Sequence, residues 1–110
     1  MKVLVAGSRG ISHDISKYIP KETTMIISGG AAGVDTLAEK YADEHGIPKL
    51  IIRPDYKNFG RIAPILRNHK MIDMADMVIA VWDGRSRGTK DVIEYAIKND
   101  KRLKIYTPTI

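Results

Sequence analysis

Five short β-rich runs, residues 2–6, 24–28, 50–53, 77–82 and 103–106, alternate along the chain with stretches of helical apolar spacing. This alternation predicts βαβ units built around a parallel sheet. Most of the runs are continuously apolar, as expected of strands covered by helices on both faces, so the expected class is α/β with a five-stranded sheet in a three-layer α/β/α arrangement. The clearest helix covers residues 33–45, where Val34, Leu37, Ala38, Tyr41 and Ala42 recur at i, i+3, i+4, i+7 and i+8 before Gly46 and Pro48 stop it. Pro64 suits a first helical position and predicts a helix over 64–74, with Ile65, Leu66, His69 and Ile72 on its inner face. Residues 89–98 carry Val92, Ile93, Ala96 and Ile97 on one side, and residues 11–19 form a weaker helix pattern through Ile11, Ile15 and Ile19. The longest irregular stretch, residues 54–63, reads as a binding loop or equally as a plain surface loop. With no internal repeat or linker, the 110 residues are expected to form one domain.

The glycines collect at strand ends: Gly7 and Gly10 after the first run, Gly29, Gly30 and Gly33 after the second, Gly84 and Gly88 after the fourth. In an open parallel sheet the ligand crevice lies outside the strand C-termini, where the strand order reverses. An order of 3-2-1-4-5 would place strands one and four on either side of that point and bring the three turns to one crevice. Each turn opens a helix whose first amides lack internal partners and carry partial positive charge, so the guest this chemistry favours is a phosphate. Tight βα turns with no ligand role would use the same glycines.

Side chains around these turns extend the candidate site. Ser8 and Arg9 lie in the first turn, Ser28 precedes the second, and Ser86, Arg87 and Thr89 fill the last. Hydroxyl and guanidinium groups bind phosphate oxygens, although Ser86 and Thr89 also suit helix capping and the two arginines suit solvated surface. Arg67 and Asn68 fall in the first turn of the helix that Pro64 opens, with Arg67 the preferred ligand clamp. Asp35 suits the N-terminus of its helix electrostatically and could also meet a ribose hydroxyl. Trp82 could stack on a base or pack in the core. Asp83 and Gly84 complete the ligand-binding set, and Arg67, Asp83 and Asp91 are the weak candidates for any catalysis.

Charge and composition narrow the function. A net charge of +5 favours phosphorylated partners, but Lys and Arg are scattered, so a nucleic-acid stripe is not signalled. The absence of cysteine excludes disulfides, thiol nucleophiles and iron-sulfur sites, and fits a reducing compartment. No apolar segment approaches the ~20 residues of a membrane span and no signal-peptide pattern opens the chain, so a cytoplasmic protein without a membrane partner is expected. His13, His45 and His69 have no metal-binding spacing, and HExxH, GxSxG, Walker A and GxGxxG patterns are absent. Neither metal nor cofactor is expected.

Taken in order, Val5-Ala6-Gly7-Ser8-Arg9, then Ser28-Gly29-Gly30-Ala31-Ala32-Gly33-Val34-Asp35 followed by Ala38, then Arg67-Asn68 with Met71, form a wider pattern. Ala75-Asp76 leading to Val81-Trp82-Asp83-Gly84 and Ser86-Arg87-Gly88-Thr89 complete it. The chain resembles the SLOG superfamily, Rossmann-like proteins related to DprA and to the LOG cytokinin-activating enzymes, and most of all its small YspA-type members. The resemblance implies a nucleotide-related ligand in the crevice, often a sensor role, and frequently a homodimer. In the LOG enzymes an Arg before a Met, and a Glu within PGGxGTxxE, support cleavage of a base from ribose 5-phosphate. Arg67 and Met71 match the first half, but Val92 stands where that Glu would be, and Asp91, one residue earlier, would point about 100° away on the helix. The leading expectation is therefore binding or sensing of a nucleotide-derived ligand. Phosphoribohydrolase activity and DprA-like single-strand binding are the alternatives.

Overall fold

A computed structural model describes residues 1–108. Five strands, β1 (Lys2–Gly7), β2 (Met25–Ser28), β3 (Lys49–Ile51), β4 (Met77–Val81) and β5 (Arg102–Tyr106), form one sheet in the order β3-β2-β1-β4-β5. Every neighbouring pair is parallel. This is the Rossmann-like α/β fold, with the expected strand order. Helices α1 (Val34–Glu44), α2 (Tyr56–Phe59), α3 (Ala63–Met74) and α4 (Arg87–Lys98) connect the strands.

The side-chain alternation of β1 divides the interior. Val3 and Val5 pack with Ile26, Ile79 and Val81 against α1 and the segment before β2, while Leu4 and Ala6 pack with Ile27 and Val78 against α3 and α4. These are the two interfaces of a three-layer fold, and β1 and β4 at the centre are buried on both.

Four details differ from the sequence expectations. Residues 11–19 are not a helix: only Ser16–Tyr18 form a 3-10 turn, although Ile11, Ile15 and Ile19 are all buried as their spacing suggested. Asp14 Oδ1 accepts from the Ser16 amide at 2.9 Å, a local bond that competes with helix formation, and Pro20 closes the segment. Residues 54–63 are not irregular throughout, because Asp55 caps α2 by accepting from Asn58 N at 3.2 Å, and a 3-10 turn over Gly60–Ile62 leads straight into α3. On α3, Ile65 and Leu66 face outward at 44% and 38% exposure, and the buried positions are Ala63, Asn68, Met71 and Ile72. Ile97 of α4 is likewise 62% exposed, while Thr89, Val92, Ile93 and Ala96 are buried.

Candidate functional site

Strands β1 and β4 lead away in opposite directions across the sheet, β1 towards β2 and β4 towards β5, so a crevice opens at their C-terminal ends. A cavity of about 400 Å³ occupies it. Gly7, Arg9 and Gly10 line it from the β1 turn, Ala31 and Asp35 from the β2 turn and α1, Arg67, Asn68 and Met71 from α3. Asp83, Ser86, Gly88, Thr89 and Val92 close it from the β4 turn and α4. All three glycine-bearing turns therefore reach one space.

Several candidate residues shape this space without lining it. Ser8 is buried, and its Oγ accepts from the Asp83 amide at 3.1 Å, tying the β1 turn to the β4 turn. Ser28 Oγ accepts from Gly30 N at 3.2 Å and donates to Glu39 Oε2 at 2.8 Å, bracing the second turn. Trp82 does not project into the cavity; its Nε1 donates to the Ser86 carbonyl at 3.0 Å and spans the loop that precedes α4. Gly84 sits in the same loop at φ 83°. Gly30 gives its carbonyl to Arg53 Nη1 at 3.2 Å, and Gly33 packs against the Arg9 backbone where no side chain would fit.

The amides divide unequally among the turns. In the second turn Gly30 N goes to Ser28 Oγ and Ala31 N to Asp35 Oδ2 at 3.2 Å, and the first amide of α1, Val34 N, reaches the Ser8 carbonyl at 3.5 Å. These donors are occupied within the protein. At the start of α4, Asp83 Oδ1 accepts from Arg85 N and Ser86 N, each at 2.8 Å, and Ser86 caps the helix through Thr89 N. The Arg87 and Gly88 amides remain beyond the helix's own reach. A Cβ at Gly88 would meet nothing within 4 Å, so the helix start is open towards the cavity it lines. The α4 N-terminus thus keeps amides that no helix carbonyl can use at the edge of the cavity.

Arg67 forms the opposite wall. Its Nη1 donates to the Gly29 carbonyl at 2.8 Å and the Ile52 carbonyl at 3.3 Å, and its Nε donates to Asn68 Oδ1 at 2.9 Å. Gly29 makes this seat: a Cβ there would lie 2.8 Å from Arg67 Nη1 and 3.0 Å from Asp35 Oδ2. Burial pulls the Arg67 guanidinium below its ordinary range, Asp35 opposes that shift, and the like charge of Arg9 adds to it. Burial also pushes the Asp35 carboxyl up, against the Ala31 amide and the Arg67 charge, which hold it down. Asp83 is the reverse case, lowered chiefly by the Ser86 and Arg85 amides, which leaves it a firmly ionised loop brace. Asp91 lies outside the cavity lining, bonded to His69 Nε2 at 3.2 Å and to Asn68 Nδ2 at 3.4 Å, whereas its neighbour Val92 faces the cavity. Among the described residues no cluster of His, Asp or Glu is placed to hold a metal ion.

Residues 1–59, which carry the first two glycine turns, match the YspA, cpYpsA-related SLOG family. The chain belongs to this family. Solved structures extend the likeness of fold over the second half: the DNA processing protein A (DprA) of Streptococcus pneumoniae superposes with a TM-score of 0.80 at 20% identity, covering 99% of this chain and 51% of that one. The chain thus spans about half the length of DprA. TM1055 superposes with a TM-score of 0.71 at 22% identity over 93% of this chain and 71% of its own. At these identities the likeness is one of fold. No curated protein matches the chain.

Pro64, Met71, Ala31 and Val92 also line the SLOG crevice, and sequence reasoning had not placed them there as site residues. Met71 carried a signal, since it recurs with Arg67 one helical turn apart and so shares its face.

Proposed function

We propose that the crevice binds the phosphate of a nucleotide or nucleotide-derived ligand, with Arg67 as clamp and the start of α4 as anion cradle. One observation supports this reading: Arg9, Arg67 and Gly88 at the start of α4 line the same cavity at the topological switch point, and the charge of Arg9 is felt at Arg67. An anion there relieves the repulsion between two like charges and meets donors that the helix cannot use. Asp35, on the α1 side, suits a ribose hydroxyl. Membership of the SLOG family and the fold shared with DprA and TM1055 support a nucleotide-related ligand.

Binding is favoured over glycosidic cleavage because the position of a catalytic carboxylate on α4 is filled by Val92, while Asp91 is engaged with α3. Incubation with AMP followed by chromatography should release no adenine above the uncatalysed background. Thermal-shift screening against nucleoside monophosphates and ADP-ribose species should find a ligand that raises the melting temperature of the wild type and not of Arg67→Ala. The absence of a shift with every phosphorylated ligand at millimolar concentration would remove the proposal.

We also propose that the protein is a homodimer through α2 and α3. Of the exposed large apolar side chains among the described residues, Tyr56, Phe59, Ile62, Ile65, Leu66 and Met74 lie within this one stretch of chain, and only Ile97 and Ile105 lie elsewhere. A patch of this kind is the mark of a partner surface. The name of DNA processing protein A raises DNA as the competing partner, and retention of single-stranded DNA in a gel shift at physiological salt would favour it.

A further inference from the structure

Behind Arg67 a continuous line of polar contacts runs from α3 to α4. Arg67 Nε donates to Asn68 Oδ1 at 2.9 Å, Asn68 Nδ2 donates to Asp91 Oδ2 at 3.4 Å, and Asp91 Oδ1 meets His69 Nε2 at 3.2 Å. The Tyr95 ring stacks on the His69 imidazole with centroids 3.8 Å apart and planes within 6°, and its hydroxyl donates to Asp73 Oδ1 at 2.9 Å. Asn68 is 6% exposed, so both ends of its amide depend on protein partners.

The two ends of that amide are nearly identical in shape and opposite in chemistry. Arg67 Nε–H can only donate, and an ionised Asp91 can only accept. If the Asn68 amide were reversed, a donor would face the Arg67 donor and an acceptor would face the carboxylate, leaving both contacts unsatisfied. The carboxylate on α4 therefore selects the same end of Asn68 for Arg67 as the Arg67 donor itself requires, and fixes the amide from its far side.

We infer that Asp91 is a positioning residue for the crevice: it orients the Asn68 amide, and Asn68 in turn holds the Arg67 guanidinium at the cavity wall. The final link, from an oriented Arg67 to ligand affinity, rests on the phosphate-binding reading, whereas the orientation of Asn68 and Arg67 does not. Asp91 touches no ligand in this scheme. It gives a carboxylate just beside the cavity-facing stripe of α4 a task that Val92 could not perform.

The test is made first without ligand, by NMR of the protein labelled with nitrogen-15. The Arg67 Nε–Hε signal is identified by its loss in Arg67→Lys. In the wild type it should be sharp and exchange slowly with water, and the Asn68 Hδ2 protons should show contacts to the Asp91 side chain and not to Arg67 Hε. The reverse pattern of contacts overturns the inference in the unmodified protein, whether or not any variant folds. Asp91→Ala should turn the Nε–Hε signal into a rapidly exchanging one, while Asp91→Asn, which keeps an acceptor oxygen, should preserve it. A signal unchanged by Asp91→Ala also overturns the inference. With AMP as probe, affinity should fall about five-fold in Asp91→Ala and recover in Asp91→Asn, the size expected for one hydrogen bond. If AMP and the other phosphorylated probes bind nowhere, the proposed function fails while the side-chain signals still decide the role of Asp91.

Discussion

Arg67 and Asp35 meet at Gly29, and neither could sit where it does beside a larger residue. Burial raises the Asp35 carboxyl, so the folded protein holds that proton more tightly than the unfolded chain. The resulting stability is fully present below the ordinary carboxylate range, at about pH 4, and is lost as pH rises through the raised folded value. Asp35→Asn removes this titration while keeping an acceptor for the Ala31 amide. The melting temperature of the wild type should therefore rise relative to Asp35→Asn as pH is lowered from about 7 to about 4; a difference independent of pH contradicts the assignment. Gly88 separates binding from folding more cleanly. Its added Cβ would meet no protein atom within 4 Å, so Gly88→Ala should fold at least as well, gaining up to about 1 kcal/mol of helix propensity. The same methyl group would project into the space at the α4 amides, and affinity for a phosphorylated ligand should drop roughly ten-fold, the cost of about one charge-assisted hydrogen bond.

Among the elements, the segment before β2 shows how burial and helicity part company. Ile15 is buried beside Val3, Val5 and Val34 without being helical, so Ile15→Ala should cost about 2–4 kcal/mol in denaturant unfolding, as a core isoleucine does. A cost under about 1 kcal/mol, typical of a surface change, would show that the segment is not part of the core. Its apolar spacing correctly marked residues that face inward, but the Asp14 turn and Pro20, which set the backbone, leave no periodic trace. The same limit applies to α3, where Ile65 and Leu66 read as inner positions. The buried side of that helix carries Asn68, a polar residue accepted there because Arg67 and Asp91 satisfy it from two directions. Pattern reading assigns the apolar side inward and cannot foresee a hydrogen bond supplied from α4, 23 residues along the chain. The central strands and the glycines at their ends were readable because both obey local rules: continuous apolar runs for doubly covered strands, and turns where the backbone approaches closely.

For the whole molecule, the reversal of strand order between β1 and β4 brings residues from four separate stretches of sequence around one cavity. The outward faces of α2 and α3 leave an apolar surface beside it, and the homodimer reading predicts a two-chain mass by light scattering. Ile65→Asp, at an exposed position, should reduce that mass to one chain without lowering the melting temperature of the monomer; a wild type that is monomeric at high concentration would rule the dimer out. The central claim, that the crevice holds an oxyanion on the α4 N-terminus, is tested most directly by following backbone amides while the protein is titrated with AMP, with adenosine as the phosphate-free control. The account predicts that AMP moves the Gly10, Gly88 and Thr89 amides, that adenosine leaves them in place, and that Arg67→Ala abolishes the response. Amide shifts confined to other parts of the surface, or none at millimolar AMP, inorganic phosphate or ADP-ribose, would contradict it.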